Sequence, residues 1–546
     1  MMGPKYILLA VVVSVTVAQV SSRVNDNEKK IHPDLPSLPQ SRAAGLELNS
    51  DFWHNSAQAT IASKLRQKLN NNKAKNIIMF LGDGMSLHTV AATRSLIGDE
   101  ATQISFEKFP HIGLSKTYCV NKQVADSACT ATAYLCGVKG NYGTIGVNAK
   151  VERYNCEQGL DETNFTPSIA KWAQDAGKDT GLVTTARVTH ASPAGLYAHT
   201  ANRDWENDEK IRGNGCDSTK NTDIAQQLVF WETGKNMKVV LGGGRGEFLD
   251  ASMKDGEGLA GWRGDGQNLV EKWLSNHKSM GNATYAWNRD ELLAVDPEKT
   301  DYLLGLFNEG HCSFHGDLKR EGRDKIEPTL TEMTEVAIKM LQKSENGFFL
   351  FVEGARIDMA HHDTKARKSL EDTEEFAKAL QRARDMTSEE DTLIVVTSDH
   401  AHTLTINGYP MRGSNILGLS GDSGTDGIPY TSISYANGPG FDNTYKETGG
   451  GRRDITNDDF TDADYLYPAT VPLDSETHGG DDVGIFASGP HSHLFDGNFE
   501  QNNIPYLMAY AAGIGPYEGR TDGAAEVTVT LSLLIGSVLV VLGYLY

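Results

Sequence analysis

The sequence predicts an α/β fold, a parallel sheet covered by helices on both faces. Five short apolar runs, residues 76–81, 180–184, 238–241, 348–352 and 392–397, read as buried strands. Helix-length segments such as 167–176 and 328–342 lie between them. Three of the runs lead into acidic residues: 76–81 into Gly82-Asp83-Gly84, 348–352 into Glu353, and 392–397 into Ser398-Asp399-His400. Open α/β sheets bind ligands beyond the carboxyl ends of their strands, so three acidic ends are expected on one sheet edge. Asp also caps helices, but three such ends, two of them close to histidines, are more than capping requires.

In chain order, residues 1–22 carry Lys5, an apolar run over 6–17 and small residues around Ala18, the pattern of a cleaved secretory signal. Residues 23–50 are polar and proline-bearing, an extended arm leading into a helix over 55–69. The α/β domain occupies 51–403 and resumes at 476–520. Between them, 404–475 is rich in Gly, Asn, Asp, Ser and Tyr, and reads as an inserted subdomain of loops and short strands on one edge. Residues 527–546 are apolar or hydroxylic, without charge, and follow the small residues of Thr521-Asp522-Gly523-Ala524-Ala525. This resembles a GPI signal occupying 523–546, with Asp522 or Gly523 as the attachment residue, although a C-terminal span has the same apolar length. The expected location is the extracellular face of the cell membrane.

Composition narrows the function. A net charge of -21 over 546 residues argues against nucleic acid, which needs a basic face. Six cysteines, Cys119, Cys129, Cys136, Cys156, Cys216 and Cys312, fit a few bridges in a secreted chain, and their spacing fixes no pairing. Sequons at Asn164 and Asn282 fit the same route.

The densest chemistry lies in GFFLFVEGARIDMAHH, residues 347–362. Asp358 and His362 stand four apart, one turn along a helix face, where carboxylate and imidazole can share a zinc ion. A further histidine would complete that set; His478, beside Gly479 and Gly480, is the candidate, with other loop histidines open as alternatives by spacing alone. Asp399, His400 and Asp83 suit a second zinc, and Glu353, a hard oxygen ligand, suits a neighbouring magnesium. In Asp126-Ser127-Ala128-Cys129, small residues place Ser127 at a helix start, either as a plain N-cap or as a nucleophile activated by metal, since no G-x-S-x-G elbow occurs. Arg203, in Asn202-Arg203-Asp204-Trp205, offers a planar fork for phosphate oxygens. Leu241-Gly242-Gly243-Gly244-Arg245 lacks the Gly-Lys-Ser/Thr ending of a P-loop.

The ordered motifs LGDGMS, DSACTATAYLCG, TTARVTHASPAGLYAH, NRDW, FVEGARIDMAHH, TSDHAHT and ETHGGDDVGIF resemble the animal alkaline phosphatases, most closely the membrane-bound insect type, over about residues 50 to 520. The resemblance implies a doubly wound, mainly parallel sheet with a loop-rich crown. It also implies a homodimer embraced by its N-terminal arms, and two Zn2+ and one Mg2+ per chain. It further implies hydrolysis of small phosphate monoesters. Position by position, Ser127 matches the phosphorylated serine and Arg203 the phosphate-gripping arginine. Asp358, His362 and His478 match one zinc, and Asp83, Asp399 and His400 the other. Asp83, Ser192 and Glu353 match the magnesium site, with His190 and His402 just outside the ligands. Cys156 and Cys216 match a family disulfide. Met359 stands where vertebrate members carry a histidine, and Asn308 where an acidic calcium ligand is expected, so no calcium site is assigned. A related phosphodiesterase and a catalytically silent surface binding protein are the alternative readings; the C-x-P-x-R segment of sulfatases is missing.

Overall fold

The computed structural model describes residues 44–445 and 451–519. The expected signal, most of the arm, Asp522 and the hydrophobic tail lie outside the described residues. Among those described, no helix is long and apolar enough to cross a membrane.

One sheet holds ten strands: β1 (Asn76–Gly82), β2 (His111–Lys116), β3 (Asp179–Arg187), β4 (Val239–Gly243), β5 (Ala283–Ala286), β6 (Tyr302–Leu306), β7 (Phe348–Gly354), β8 (Thr392–Thr397), β9 (Val483–Ser488) and β10 (Gly497–Glu500). They lie in the order β10-β2-β9-β8-β1-β7-β3-β4-β6-β5. All neighbours are parallel except the two pairs made by β9. The five apolar runs became β1, β3, β4, β7 and β8. The other five strands escaped the sequence reading for physical reasons. β2, β5 and β10 are partly exposed, and Gly305 and Gly484 interrupt the apolar runs of β6 and β9.

Successive strand side chains point to opposite faces, which builds two cores from one strand. Ile77, Met79 and Leu81 pack with Ala128, Tyr134 and Leu135 on one face. Ile78 and Phe80 pack with Met333, Ile338, Phe376 and Leu380 on the other. Six helices form the arm, cover the sheet or carry the acidic and hydroxyl residues: α1 (Ser50–Arg66), α2 (Ser127–Cys136), the single turn α3 (Ala191–Ala194), α4 (Leu330–Leu341), α5 (Arg356–His362) and α6 (Ala366–Met386). The expected helix over 328–342 is α4, opened by a capping box between Thr329 and Glu332. The arm helix, expected over 55–69, is α1; it starts earlier because the Asn49 side chain caps it by accepting from the Asp51 N–H.

The insertion does contain short strands, Thr405–Ile406, Leu419–Ser423, Pro429–Thr431, Ile433–Gly438 and Ala469–Pro472. It is not on an outer strand of the sheet, however. Its core of Ile433, Tyr435, Tyr467 and Ala469 packs on Ala92, Ala366 and Leu370, because the chain enters it from the central strand β8. Two disulfides form, Cys119–Cys129 and Cys156–Cys216, while Cys136 and Cys312 are buried free thiols.

Gly84, just past β1, has φ +65°, and a Cβ there would lie 2.4 Å from the His402 ring and 3.2 Å from the Asp358 backbone. Gly84→Val combines left-handed strain with overpacking and is expected to cost about 2–5 kcal/mol. Chemical denaturation measures this, and a loss under about 1 kcal/mol would contradict the close approach.

Candidate metal and phosphate site

The central strands β8, β1 and β7 are neighbours, with Leu81 of β1 level with Thr397 of β8 and with Glu353 of β7. Their ends therefore bring Asp83, Glu353 and Asp399 together, as the three acidic strand ends require. Helix α5 follows β7 directly and adds Asp358 and His362 from one face.

Two carboxylate and imidazole clusters result. In the first, the Nε2 atoms of His362 and His478 stand 3.1 Å apart, each 3.4 Å from an Asp358 carboxylate oxygen. Tetrahedral zinc with bonds of about 2.0–2.1 Å sets its ligands about 3.3 Å apart, so the spacing fits. Each ring is oriented from behind. His362 Nδ1 donates to the Glu476 carbonyl (2.5 Å) and His478 Nδ1 to the Ala125 carbonyl (2.7 Å). A carbonyl only accepts, so Nδ1 carries the proton and Nε2 is left with its lone pair toward the cluster.

In the second, His400 Nε2 lies 3.0 Å from Asp399 Oδ2, 3.7 Å from Asp83 Oδ1 and 3.2 Å from Ser127 Oγ. The rings of His400 and His478 stack at 3.5 Å, which joins the two clusters. A third grouping shares Asp83 with Glu353 and His190. Ser192, on α3, sits beside Glu353, and the Thr184 hydroxyl donates to Glu353 Oε2.

The donor chemistry fits metal ions. Both Asp83 oxygens, Glu353 Oε1, Asp399 Oδ2 and Ser192 Oγ are buried without a hydrogen-bond partner among the described residues. Orphaned buried acceptors are rare and costly unless a cation takes them. Burial, then Asp358, Asp399 and Glu353, pushes Asp83 well above the usual carboxylate range. Burial, aided by Asp399 and Asp358, pushes Glu353 up to about 8 despite the Thr184 and Ser192 hydroxyls.

His402 lies within the first cluster, with both ring nitrogens against carboxylates. Its Nε2 lies 2.6 Å from Asp358 Oδ1 and its Nδ1 2.5 Å from Glu476 Oε2. Burial disfavours its charge, but Glu476 and Asp358 outweigh that and push its pKa up to about 10. Its ring bridges the Asp358 and Glu476 carboxylates and so holds Asp358 in place.

Ser127 is the first residue of α2, and the cap is its neighbour: Asp126 Oδ1 accepts from the Cys129 N–H at 3.3 Å. The plain N-cap reading of Ser127 is thereby corrected. Ser127 is left with its hydroxyl at the positive end of the helix, facing His400. Asp126 also accepts from Arg203 Nη1 (3.0 Å) and the Gly143 N–H (3.0 Å), and Arg203 Nη2 lies 3.1 Å from His190 Nε2. The Cys119–Cys129 bridge closes the loop holding Ala125, Asp126 and Ser127.

Sequence reasoning missed Asp126 and Glu476 as site residues. Both are the opening acidic residues of quoted motifs, DSACTATAYLCG and ETHGGDDVGIF, but only three-dimensional contact gives them a role. Met359 turns aside, its sulfur 2.8 Å from Arg356 Nη1. Near Asn308, where no calcium site was assigned, the guanidinium of Arg323 lies between Glu257 and Glu327, with Nε 2.7 Å from Glu327 Oε1. Asn308 Nδ2 donates to the same oxygen. Asn282 is exposed, whereas Asn164 is 5 % exposed with its amide turned to the Gln158 carbonyl.

The profile of the family Alkaline phosphatase matches residues 74–514. The chain is 45 % identical over 527 residues to the membrane-bound alkaline phosphatase of Bombyx mori, covering 94 % of each chain. It is 45 % identical over 497 residues to the tissue-nonspecific isozyme of Homo sapiens, covering 88 % of this chain and 92 % of that one. Among solved structures, the alkaline phosphatase of Thermus thermophilus shares the fold at a TM-score of 0.57 and 20 % identity, over 88 % of this chain and 96 % of that one. The enzyme of the Antarctic bacterium TAB5 does so at 0.55 and 22 %, over 82 % and 99 %. With the strand-end carboxylates, paired imidazoles and helix-borne serine in place, the chain belongs to the alkaline phosphatase family and is a hydrolase of phosphate monoesters.

Proposed function

We propose that hydrolysis runs through a phosphoserine on Ser127. The observation that carries this is the Ser127 hydroxyl at the amino end of α2, 3.2 Å from His400 Nε2 and next to the Asp126-held Arg203. Asp358, His362 and His478 would hold one zinc, Asp83, Asp399 and His400 a second, and Asp83, Ser192 and Glu353 one magnesium. When bound, such ions supply Lewis acidity toward phosphoryl oxygens and lower the pKa of hydroxyl groups and water.

Ser127 Oγ attacks phosphorus, its bond forming as the bond to the leaving alkoxide breaks, and the alkoxide takes up a proton. Water then attacks the phosphoserine from the opposite side. The Oγ–phosphorus bond breaks, Ser127 regains its proton, and inorganic phosphate leaves. Arg203, braced by Asp126 and His190, directs its fork at two equatorial oxygens, where phosphoryl transfer concentrates charge.

Two further readings concern assembly. On α1 no residue is buried, and Trp53, Ile61 and Leu65, on one face with Ala57, are 55 %, 59 % and 82 % exposed. A second copy of this chain is the fitting occupant of that stripe, which supports the homodimer. The small residues around Asp522 and the apolar 527–546 support a GPI anchor, as does the membrane-bound relative. Of the two sequons, Asn282 is the accessible glycan acceptor.

Three measurements test these readings. Ser127→Ala should abolish acid-stable phosphoenzyme and lower kcat on nitrophenyl phosphate by at least about a thousandfold; full turnover would sink the mechanism. Arg203→Ala should weaken competitive inhibition by inorganic phosphate about 10- to 100-fold, the worth of charged hydrogen bonds, with zinc content unchanged. Membranes carrying the full chain should release it to phosphatidylinositol-specific phospholipase C, and retention of the protein would refute the anchor.

A further inference from the structure

Arg203 sits on a turn between Asn202 and Asp204, and that turn is tied on both sides. On the inner side Asn202 and Trp205 are buried, and both donate to Asn214 Oδ1, Asn202 Nδ2 at 3.0 Å and Trp205 Nε1 at 2.8 Å. The outer side is met by Arg153. Its Nε donates to Asn202 Oδ1 at 2.9 Å and its Nη2 to Asp204 Oδ2 at 2.8 Å. One guanidinium therefore spans the residues before and after the arginine that Asp126 and His190 brace.

Arg153 is itself held in place. Its guanidinium carbon lies 4.8 Å from the Tyr154 ring centroid and 5.6 Å from that of Tyr142. Gly143 has φ +78°, and a Cβ there would lie 2.3 Å from Arg153 Cδ, so glycine lets the arginine stem cross the loop at this point. The Gly143 carbonyl accepts from the Arg203 N–H at 2.9 Å, while its own N–H donates to Asp126, which holds the Arg203 fork. Arg153, Gly143 and Asp126 thus secure Arg203 from its main chain to its guanidinium. An exposed arginine–carboxylate pair is by itself worth little, and salt weakens it. Here one of the two acceptors, Asn202, is fully buried, and the fork is divided between two residues, a geometry that a lysine ammonium cannot reproduce.

We propose that Arg153 is a positioning residue for phosphate binding, clamping Asn202 and Asp204 so that the Arg203 fork stays directed at the phosphoryl oxygens. The proposal rests on the reading of Arg203 as the phosphate-gripping residue. Displacing a binding group by about 1 Å can cost about 100-fold. Because Arg153 acts through Arg203, its loss costs no more than the loss of Arg203 itself.

Arg153→Lys keeps the charge and loses the fork, and Arg153→Met keeps only the stem. Competitive inhibition of nitrophenyl phosphate hydrolysis by inorganic phosphate is measured on the full chain, alongside Arg203→Ala and the double variant Arg153→Met with Arg203→Ala. Zinc content and melting midpoint are recorded for each. The expected result is a Ki about 3- to 10-fold weaker in both Arg153 variants with zinc content unchanged, and no further loss when Arg153→Met is added to Arg203→Ala. Ki within about twofold of the wild type in either Arg153 variant would overturn the role of Arg153, and a lowered melting midpoint beside it would mark a purely structural ion pair. Additive losses in the double variant would also overturn it, since Arg153 would then act on phosphate without Arg203. Failure of Arg203→Ala to weaken inhibition would instead overturn the underlying reading of Arg203.

Discussion

The structure depends on burying negative charge at one place. Asp83, Asp358, Asp399 and Glu353 are each at most 4 % exposed, and they converge where β8, β1 and β7 end side by side. Isolated carboxylates removed from water to this degree are strongly disfavoured unless a positive charge meets them. Protein groups answer only part of the need: the Arg203 guanidinium is engaged by Asp126, and His402 bridges Asp358 to Glu476. What remains is a set of buried acceptors whose charge metal ions would meet.

Around that centre the fold works to keep the ligands still. Backbone carbonyls of Ala125 and Glu476 set the tautomers of His478 and His362. The Asp399 carboxylate accepts from the backbone N–H of Gly84, and its carbonyl accepts from the Gln501 amide. Asp126 serves three ends at once, capping α2, holding the 143 loop and bracing Arg203. Ser127, the Arg203 guanidinium and the carbonyl that orients His478 therefore hang on one short loop, and the Cys119–Cys129 bridge ties that loop at both ends. Such over-determination lets catalytic groups hold their geometry without reorganising during reaction.

The legible part of the molecule is the part with local cause. Continuous apolar runs must be strands buried on both faces, which exposed β1, β3, β4, β7 and β8. β2, with alternate residues exposed, and the short β5 and β10 at the margins carry no such run and take their strand form from a neighbour. Asp358 and His362 announce themselves by helical spacing, but His478 is distant in sequence and joins them only because Gly479 and Ala401 pair in a short antiparallel ladder. Ser192 became visible through family resemblance, since a lone serine carries no spacing signal of its own.

By itself the sequence determined the α/β class, the acidic strand ends, the serine at a helix start and the chemistry these residue types permit. Propensity, periodicity and ligand preference all act within a few residues, so they are written locally. Tertiary structure alone decided which strand ends are neighbours, that Asp126 rather than Ser127 caps α2, that Cys119 bonds Cys129, and that His402 bridges Asp358 and Glu476. Each of those depends on which distant groups share a buried space, and that is set by how the two faces of the sheet are covered.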